Sequence, residues 1–590
     1  MKRQQDTGFL RTFSTLLKYV LSNNKKTFTI IFLLSIVLAV GDIISSIFVR
    51  DLVDVYIVKV SQNGGSDYSP VVSYLIKIGA VMLFAVVAAY VSMQLLARVT
   101  EKILYNLRKE SFDHMQELPV SFFDTHSYGE IMGIFTNDMD TLTDVILTSI
   151  PDFFRLGLSA IIVFITMLTT SLRLTLFVVG YLVIVLFVIR FLSRKSAYYF
   201  RGNQESIAAL NGYAEESINA EKVIKTFSYE ERNKEAFKAL NDKWAKNSEK
   251  AYKYTNIFMP IMANISNMLF VVLASIGVYF SFTNRTSLTV GTIIMFLQLS
   301  RSFTGAFNNL SSHVTAIVRA CTGAERIFKF KGEKSEENRG VVKLENPKGN
   351  IRFDHVTFSY DGKREILHDL SLWADEGQKI AFVGSTGAGK TTITNLLNRF
   401  YDIQSGKITF DGIDINTIEK NSLRKSMALV LQDTYLFSGT IRENIRYGNL
   451  DASDADVEKA AKLVGADSFI MRLKDGYDTY IKGNDTELSM GQKQLLSIAR
   501  AAVMNPPVMV LDEATSSVDS ESEILIQKGM DALMKGRTTL MIAHRLSTVR
   551  NADAIMVMES GRIIERGNHD DLLKEHGRYY ELYMGLKELD

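Results

Sequence analysis

Residues 379–392 read KIAFVGSTGAGKTT, a short apolar strand running into a glycine-rich turn and then a helix. The pattern G-x-x-x-x-G-K-[ST] is met by Gly384, Gly389, Lys390 and Thr391, with Ser385, Thr386, Gly387 and Ala388 between the two glycines and Thr392 behind them. This is the chemistry of a phosphate cradle. Glycines let backbone N–H groups close on nucleotide phosphates, the helix N-terminus adds partial positive charge, Lys390 reaches the β- and γ-phosphates, and Thr391 offers a hydroxyl to Mg²⁺. With glycine at about 7% of average usage, a chain this long meets the pattern by chance roughly once in fifty. The flanks fit as well, since 380–383 read as a buried strand and 392–400 as a helix. The competing reading is a glycine-rich turn without a ligand.

Outward from the cradle, the apolar positions Ile351, Phe353, Val356 and Phe358 read as strands, and Tyr360 follows in FSYDG. A buried strand in VMVLDE ends at Asp512 and Glu513, and one in TTLMIAH ends at His544. Strands alternating with helices, with polar groups gathered at strand ends, predict an α/β nucleotide-binding core. Phosphoryl transfer needs charge neutralisation and a positioned water. Asp512 is placed to hold Mg²⁺, and Glu513 to polarise the attacking water as general base. The plainer reading of the Asp-Glu pair is an N-cap and first-turn acid for the next helix. His544 alone would be an ordinary histidine; at the end of an adjacent strand it is a candidate γ-phosphate contact.

The first half has a different composition. Six stretches, 28–49, 71–96, 153–169, 174–191, 257–282 and 290–310, approach the roughly 20 apolar residues that span a bilayer. Gln298, Arg301, Asn308 and Asn309 interrupt the sixth, which suits a helix packed inside a bundle. An even number of spans puts both ends on one side. Lys2, Arg3, Arg11, Lys18, Lys25 and Lys26 crowd the N-terminal segment, against Arg173 and Arg285 in the opposite connections, so both termini are predicted cytoplasmic. The stretches 97–150 and 192–256 are too long for loops and read as helical extensions turning near 122–129 and 211–217. Counting about 1.5 Å per residue places Asp42 and Arg301 at similar depth, as a pair or as the lining of a polar cavity. The predicted layout is a cytoplasmic segment 1–27, a membrane domain 28–330, a charged linker 331–348 and a nucleotide-binding domain 349–590.

The 590 residues carry a net charge of +2 and no basic stripe with interleaved aromatics, so nucleic acid is not an expected partner. One cysteine, Cys321, excludes an internal disulfide framework and a multi-cysteine metal site. No small-residue cleavage site marks a signal peptide in 1–26.

The motifs together resemble a known family. The cradle, Gln432, Leu488-Ser489-Met490-Gly491-Gln492, VMVLDE, Ser517-Val518-Asp519 and Ala543-His544-Arg545 follow the order of the ATP-binding cassette of ABC transporters. The first half, with FFDTHSYGEI at 122–131 and NGYAEESINAEKVIKTF at 211–227, is similar to the six-span domain of ABC exporters. Membrane domain first and cassette second resembles a half-size exporter. The resemblance implies an all-α six-span membrane domain followed by an α/β cassette, with ATP and Mg²⁺ as ligands. It implies that Tyr360 stacks on adenine, that Gln432 contacts Mg²⁺ and relays to the membrane domain, and that Asp519 crosses to the partner cassette. Ser489, Gly491 and Gln492 would face ATP held by a second subunit.

Two departures, Met490 in the signature and Gly483 where an acid is usual, lie on the face shown to that partner, while Glu513 and His544 are intact. This resembles the competent half of a heterodimer, favoured over a homodimer. The implied activity is ATP-driven export of hydrophobic or amphipathic small molecules through the cell membrane, with membrane lipids as surroundings. The alternatives are a lipid flippase, or a nucleotide-gated channel or regulatory subunit, against which the intact Glu513 weighs.

Overall fold

The structure is a computed structural model, and it describes residues 2–22, 24–62, 68–282, 288–338, 340–432, 434–483, 488–512, 520–543 and 549–585. The chain divides into two compact units: Met1–Gln116 with Tyr128–Glu333, and Glu117–Ser127 with Lys334–Asp590.

The first unit is helical because its apolar runs leave the backbone no other way to satisfy its hydrogen bonds in a bilayer. Its long helices are Lys25–Asp51, Ser69–Glu117, Ile150–Thr170, Leu172–Asn219, Phe258–Phe282 and Val290–Lys331. Four stretches, Lys25–Val60, Ser69–Glu117, Tyr128–Thr170 and Leu172–Asn219, are long and apolar enough to cross a membrane among the described residues. The apolar part of Phe258–Phe282 is Asn267–Ser281, and Val290–Lys331 falls short, in keeping with its polar interruptions. A helix of 49 residues, Ser69–Glu117, extends about 70 Å, more than twice a hydrocarbon core of about 30 Å, so it must project well beyond the bilayer. Met167, Val178, Leu273, Met295 and Phe296 form the buried seam of the bundle.

The second expected turn lies elsewhere than the sequence suggested. The helix Leu172–Asn219 runs straight through 211–217, and the chain reverses only around the short helix Glu221–Thr226 and Ser228, whose φ is +51°. Within NGYAEES, Ala214, Glu215 and Glu216 favour the helix, and the one glycine, Gly212, costs it only about 1 kcal/mol.

Cys321 is buried, and burial pushes its thiol up to about 11, which keeps it protonated and unreactive.

The second unit is built on two large sheets and a small one, in which β7 (Gly439–Thr440) pairs antiparallel with β8 (Tyr480–Ile481). Strands β1 (Ile351–Phe358), β2 (Leu367–Ala374), β4 (Ser405–Phe410) and β5 (Ile413–Asp414) form one, in the order β2-β1-β4-β5. The other runs β12-β11-β3-β10-β9-β6, with β3 Lys379–Val383, β6 Met427–Val430, β9 Val508–Asp512, β10 Thr538–Ile542, β11 Ala554–Glu559 and β12 Arg562–Gly567. Its pairings from β11 to β6 are all parallel, and only β12 is antiparallel. A parallel sheet is covered on both faces, which is why VMVL, TTLMI and AIMVM are near-continuous apolar runs rather than alternating ones.

The charged stretch from Lys334 onward is part of this unit. Val342 bridges to Ile418 in parallel, and the Asp411 carboxylate accepts from the N–H groups of Lys348, Gly349 and Asn350. The Glu336 carboxylate takes bonds from Lys420 at 3.0 Å and from both arms of Arg424 at 2.6 and 3.0 Å. Burial alone would push this carboxyl up, but the hydrogen bonds from Arg424 and Lys420 outweigh it and hold it below the usual glutamate range.

Because the folded form is the stronger acid, its stabilisation is complete above the unfolded glutamate range and is lost as pH falls through the depressed folded value. Glu336→Gln is expected to cost about 1–3 kcal/mol, since the Lys420 ammonium loses its charged partner. Thermal unfolding of the full chain across the acid range checks this: the variant's acid limb should be shallower than the wild type's by the share of this one carboxyl, and an unchanged slope would refute the assignment.

Candidate nucleotide site

The register of the parallel sheet assembles the site. Phe382 on β3 pairs with Ile542 on β10, Ile542 pairs with Asp512 on β9, and Leu511 pairs with Val430 on β6. The carboxyl ends of four neighbouring strands therefore finish level with one another. The segments that leave them are the cradle after Val383, the stretch after Ala543, the acid Asp512 and the bend at Gln432, which ligands meet in the crevice outside the strand ends. Glu513, Asp519 and His544 lie outside the described residues.

Two glycines of the cradle are required by space. Gly384 has φ +154°, and a Cβ there would lie 2.2 Å from the Met558 carbonyl oxygen. Gly389 has φ +100°, and its Cβ would meet Leu367 Cδ2 at 2.8 Å. The loop they shape presents Thr386, Gly387 and Thr391 to solvent, while Ala388, Lys390 and Thr392 are buried. Lys390 is only 6% exposed, and its ammonium folds back to donate to the carbonyls of Gly384 and, at 3.1 Å, of Ser385. Its charge is thus held inside a loop whose N–H groups await an anion.

Tyr360, the residue expected to stack on adenine, sits beside the cradle helix. Tyr360 is 45% exposed, and its hydroxyl donates to Thr392 Oγ1 at 3.1 Å, tying ring to cradle helix. Its ring meets Phe358 and Tyr401 edge to face, each at 4.8 Å between centroids. Tyr401 was not singled out in the sequence. Its hydroxyl donates to Asp124 on the short helix Val120–Thr125, so one aromatic pair joins the platform to the turn expected near Phe122. Burial first, then the bond to Asp124, pushes the phenol up.

Thr391 and Asp512 offer a hydroxyl and a carboxylate, the hard oxygen donors Mg²⁺ prefers, at the helix start and the strand end that flank the cradle. The donor set therefore fits that ion.

The signature LSMGQ has a local cause. Ser489 is the N-cap of the helix Met490–Met504: its side chain accepts from the Gln492 N–H at 3.2 Å, and its own N–H donates to Gln492 Oε1 at 3.0 Å. The Ser489 O–H proton remains available as a donor, and the helix N-terminus beside it favours an anion. Gly491 is buried, and Met490 is 49% exposed. Gly483 has φ +58°, a backbone that any side chain would strain.

Sequence reasoning also missed Arg500, further along this helix. Its guanidinium donates to the Asn444 carbonyl at 2.9 Å and the Tyr435 carbonyl at 3.1 Å and lies over the rings of Phe437 and Tyr447. It fastens the signature helix to the segment that follows Gln432.

In the membrane unit the expected Asp42–Arg301 pair is not formed among the described residues. The cation whose field reaches Asp42 is Arg155, itself 3.3 Å from Asp152. Arg301 instead lines a cavity of about 190 Å³ with Asn267, Ser300 and Thr304. Residue counting gave both groups a height but not the direction in which each helix turns them.

A parallel-sheet ATPase with a phosphate cradle, joined to a helical membrane domain, defines a class: ATP-driven membrane transporters. The family follows from comparison. Residues 28–307 match the family described as ABC transporter transmembrane region, and 367–516 that described as ABC transporter. The fatty acid ABC transporter ATP-binding/permease protein of Mycobacterium bovis is 37% identical over 88% of this chain and 82% of its own. The ATP-dependent lipid A-core flippase of Sodalis glossinidius is 36% identical over 86% and 87%. A bacterial Atm1-family ABC exporter, solved with ATP bound, superposes with a TM-score of 0.74 at 26% identity, covering 96% of this chain and 99% of the other. The chain belongs to the ABC transporters: it is an exporter half-transporter and an ABC-type ATPase.

Proposed function

We propose that this chain exports hydrophobic or amphipathic small molecules from the cytoplasmic side of a cell membrane, as one half of a heterodimer whose cassettes are cytoplasmic. The observation that carries the reading is the level ending of β3, β10, β9 and β6, which brings the cradle and Asp512 to one edge of the sheet. Glu513 acts there as general base, His544 holds the γ-phosphate, and Gln432 reports occupancy to the membrane domain. Asp512, Thr391 and Gln432 would hold Mg²⁺, which would supply neutralisation of phosphate charge. Ser489, Gly491 and Gln492 complete the partner's ATP site, Asp519 crosses to that partner, and Tyr360 carries the adenine. The names of the fatty acid and lipid A relatives support an amphipathic cargo.

Mass and ATPase rate of the chain purified alone in lipid nanodiscs test the assembly. A twofold mass with brisk hydrolysis refutes the heterodimer, whereas an idle chain restored by a second half-transporter supports it. Arg301, in its polar cavity, tests the cargo path. Arg301→Ala is expected to weaken substrate stimulation of ATP hydrolysis about tenfold, the equivalent of one lost polar contact of about 1.4 kcal/mol, with basal hydrolysis unchanged. Equal stimulation of both proteins removes Arg301 from the path. A fluorescent phospholipid moved between leaflets in preference to a soluble amphiphile would favour the flippase reading.

A further inference from the structure

A second cavity in the membrane unit, of about 470 Å³, lies between the N-terminal helix Lys2–Ser22 and the helices Lys25–Asp51 and Ile150–Thr170. Val20 and Leu21 form one wall, Phe28 and Phe32 the second, and Phe154 the third. Among the described residues that line it, Lys25 is the one that carries a charge. Its volume lies within the roughly 300–1,000 Å³ of small-molecule sites.

Three features say what fills it. The first is position: Lys25 stands at the start of the first apolar helix, and Phe32, seven residues on, lies about 10 Å deeper, so the groove runs from the polar boundary into hydrocarbon. The second is the wall. Leu16 and Val20 are buried, whereas Arg11, Ser14, Thr15 and Lys18 are exposed, the pattern of a helix lying in the interfacial plane. That helix is held in place. Tyr19 donates to Glu110 at 3.2 Å, and the Lys331 ammonium binds the same carboxylate and lies 5.4 Å from the Tyr19 ring centre. The third is charge. Lys18, Lys25 and Lys26 fall within nine residues that contain no acid.

We propose that this groove binds one phospholipid with an anionic head group, from the leaflet on the N-terminal side. An acyl chain lies among Val20, Leu21, Phe28, Phe32 and Phe154, and the phosphate meets the Lys25 ammonium. The site is separate from the cargo path and does not depend on what is exported.

The test uses the full transporter, purified and placed in vesicles of phosphatidylcholine alone or mixed with phosphatidylglycerol, with retained lipid counted by extraction and mass spectrometry. Wild type is expected to retain phosphatidylglycerol several-fold over phosphatidylcholine. Lys25→Glu should abolish that preference, and Thr29→Trp, which fills the groove, should release both lipids. Arg11→Glu, the same charge change outside the groove, should alter neither. The proposal fails if wild type shows no preference, if Lys25→Glu keeps it, or if Arg11→Glu loses it equally. It fails too if inorganic phosphate displaces phosphatidylglycerol, which would make the site one for the free anion. Should Lys25→Glu not fold, the wild-type preference and the Thr29→Trp retention decide alone.

Discussion

Glu513→Gln is expected to lower ATP turnover by about 10²–10⁴-fold, the span of a lost general base, while nucleotide stays bound. Asp512, level with Ile542 and one strand removed from Phe382, ends its strand at the same edge of the sheet as the cradle strand, and Glu513 follows it in the sequence. Glutamine keeps the size of the side chain but not its basicity, so binding survives and activation of the water does not. Phosphate release and bound nucleotide, measured together on the purified variant in nanodiscs, check both halves. Normal turnover would overturn the assignment of the base. If the partner carries a weakened base, this one substitution silences the whole complex.

How much of this was legible in the sequence follows from how local each feature is. The cradle and the signature are set within a few residues, by positive φ at Gly384 and Gly389 and by a capping box at Ser489, so the sequence states them directly. The parallel sheet was legible from its unbroken apolar runs. Its strand order and register were not, because they depend on which runs lie side by side, and that gathers residues as far apart in sequence as Ile380 and Ala554.

The same limit explains the misses. Tyr401 matters through Asp124, and Glu336 through Lys420 and Arg424, partners remote in sequence. Arg500 looked like one more cation on a helix, and only its aromatic neighbours and two carbonyl acceptors make it a fastener. The Asp42–Arg301 pair does not form for a rotational reason: depth is additive along a helix, but facing depends on packing.

Lys390→Ala should have the other large effect, and on binding rather than on turnover alone. The ammonium is buried and satisfied by the carbonyls of Gly384 and Ser385, so the wild-type loop carries the desolvation of a charge even before nucleotide arrives. Phosphate oxygens are better partners for that charge than neutral carbonyls, because charge-assisted bonds are about twice as strong. Exchanging one for the other is where affinity comes from. Removing the side chain deletes that gain, while alanine continues the helix Lys390–Leu397.

The measurement is the nucleotide-induced rise in thermal stability. At about 100 times its dissociation constant ATP stabilises the wild type by about 2.7 kcal/mol. The variant should show almost none of this rise, with its nucleotide-free melting temperature unchanged or higher. Lys390→Arg discriminates further, because it keeps the charge but replaces a compact ammonium by a planar fork too large for the space inside the loop. If arginine restored full binding, long-range charge would suffice and the tight loop would be incidental; if neither variant binds, the site needs an ammonium at that one place.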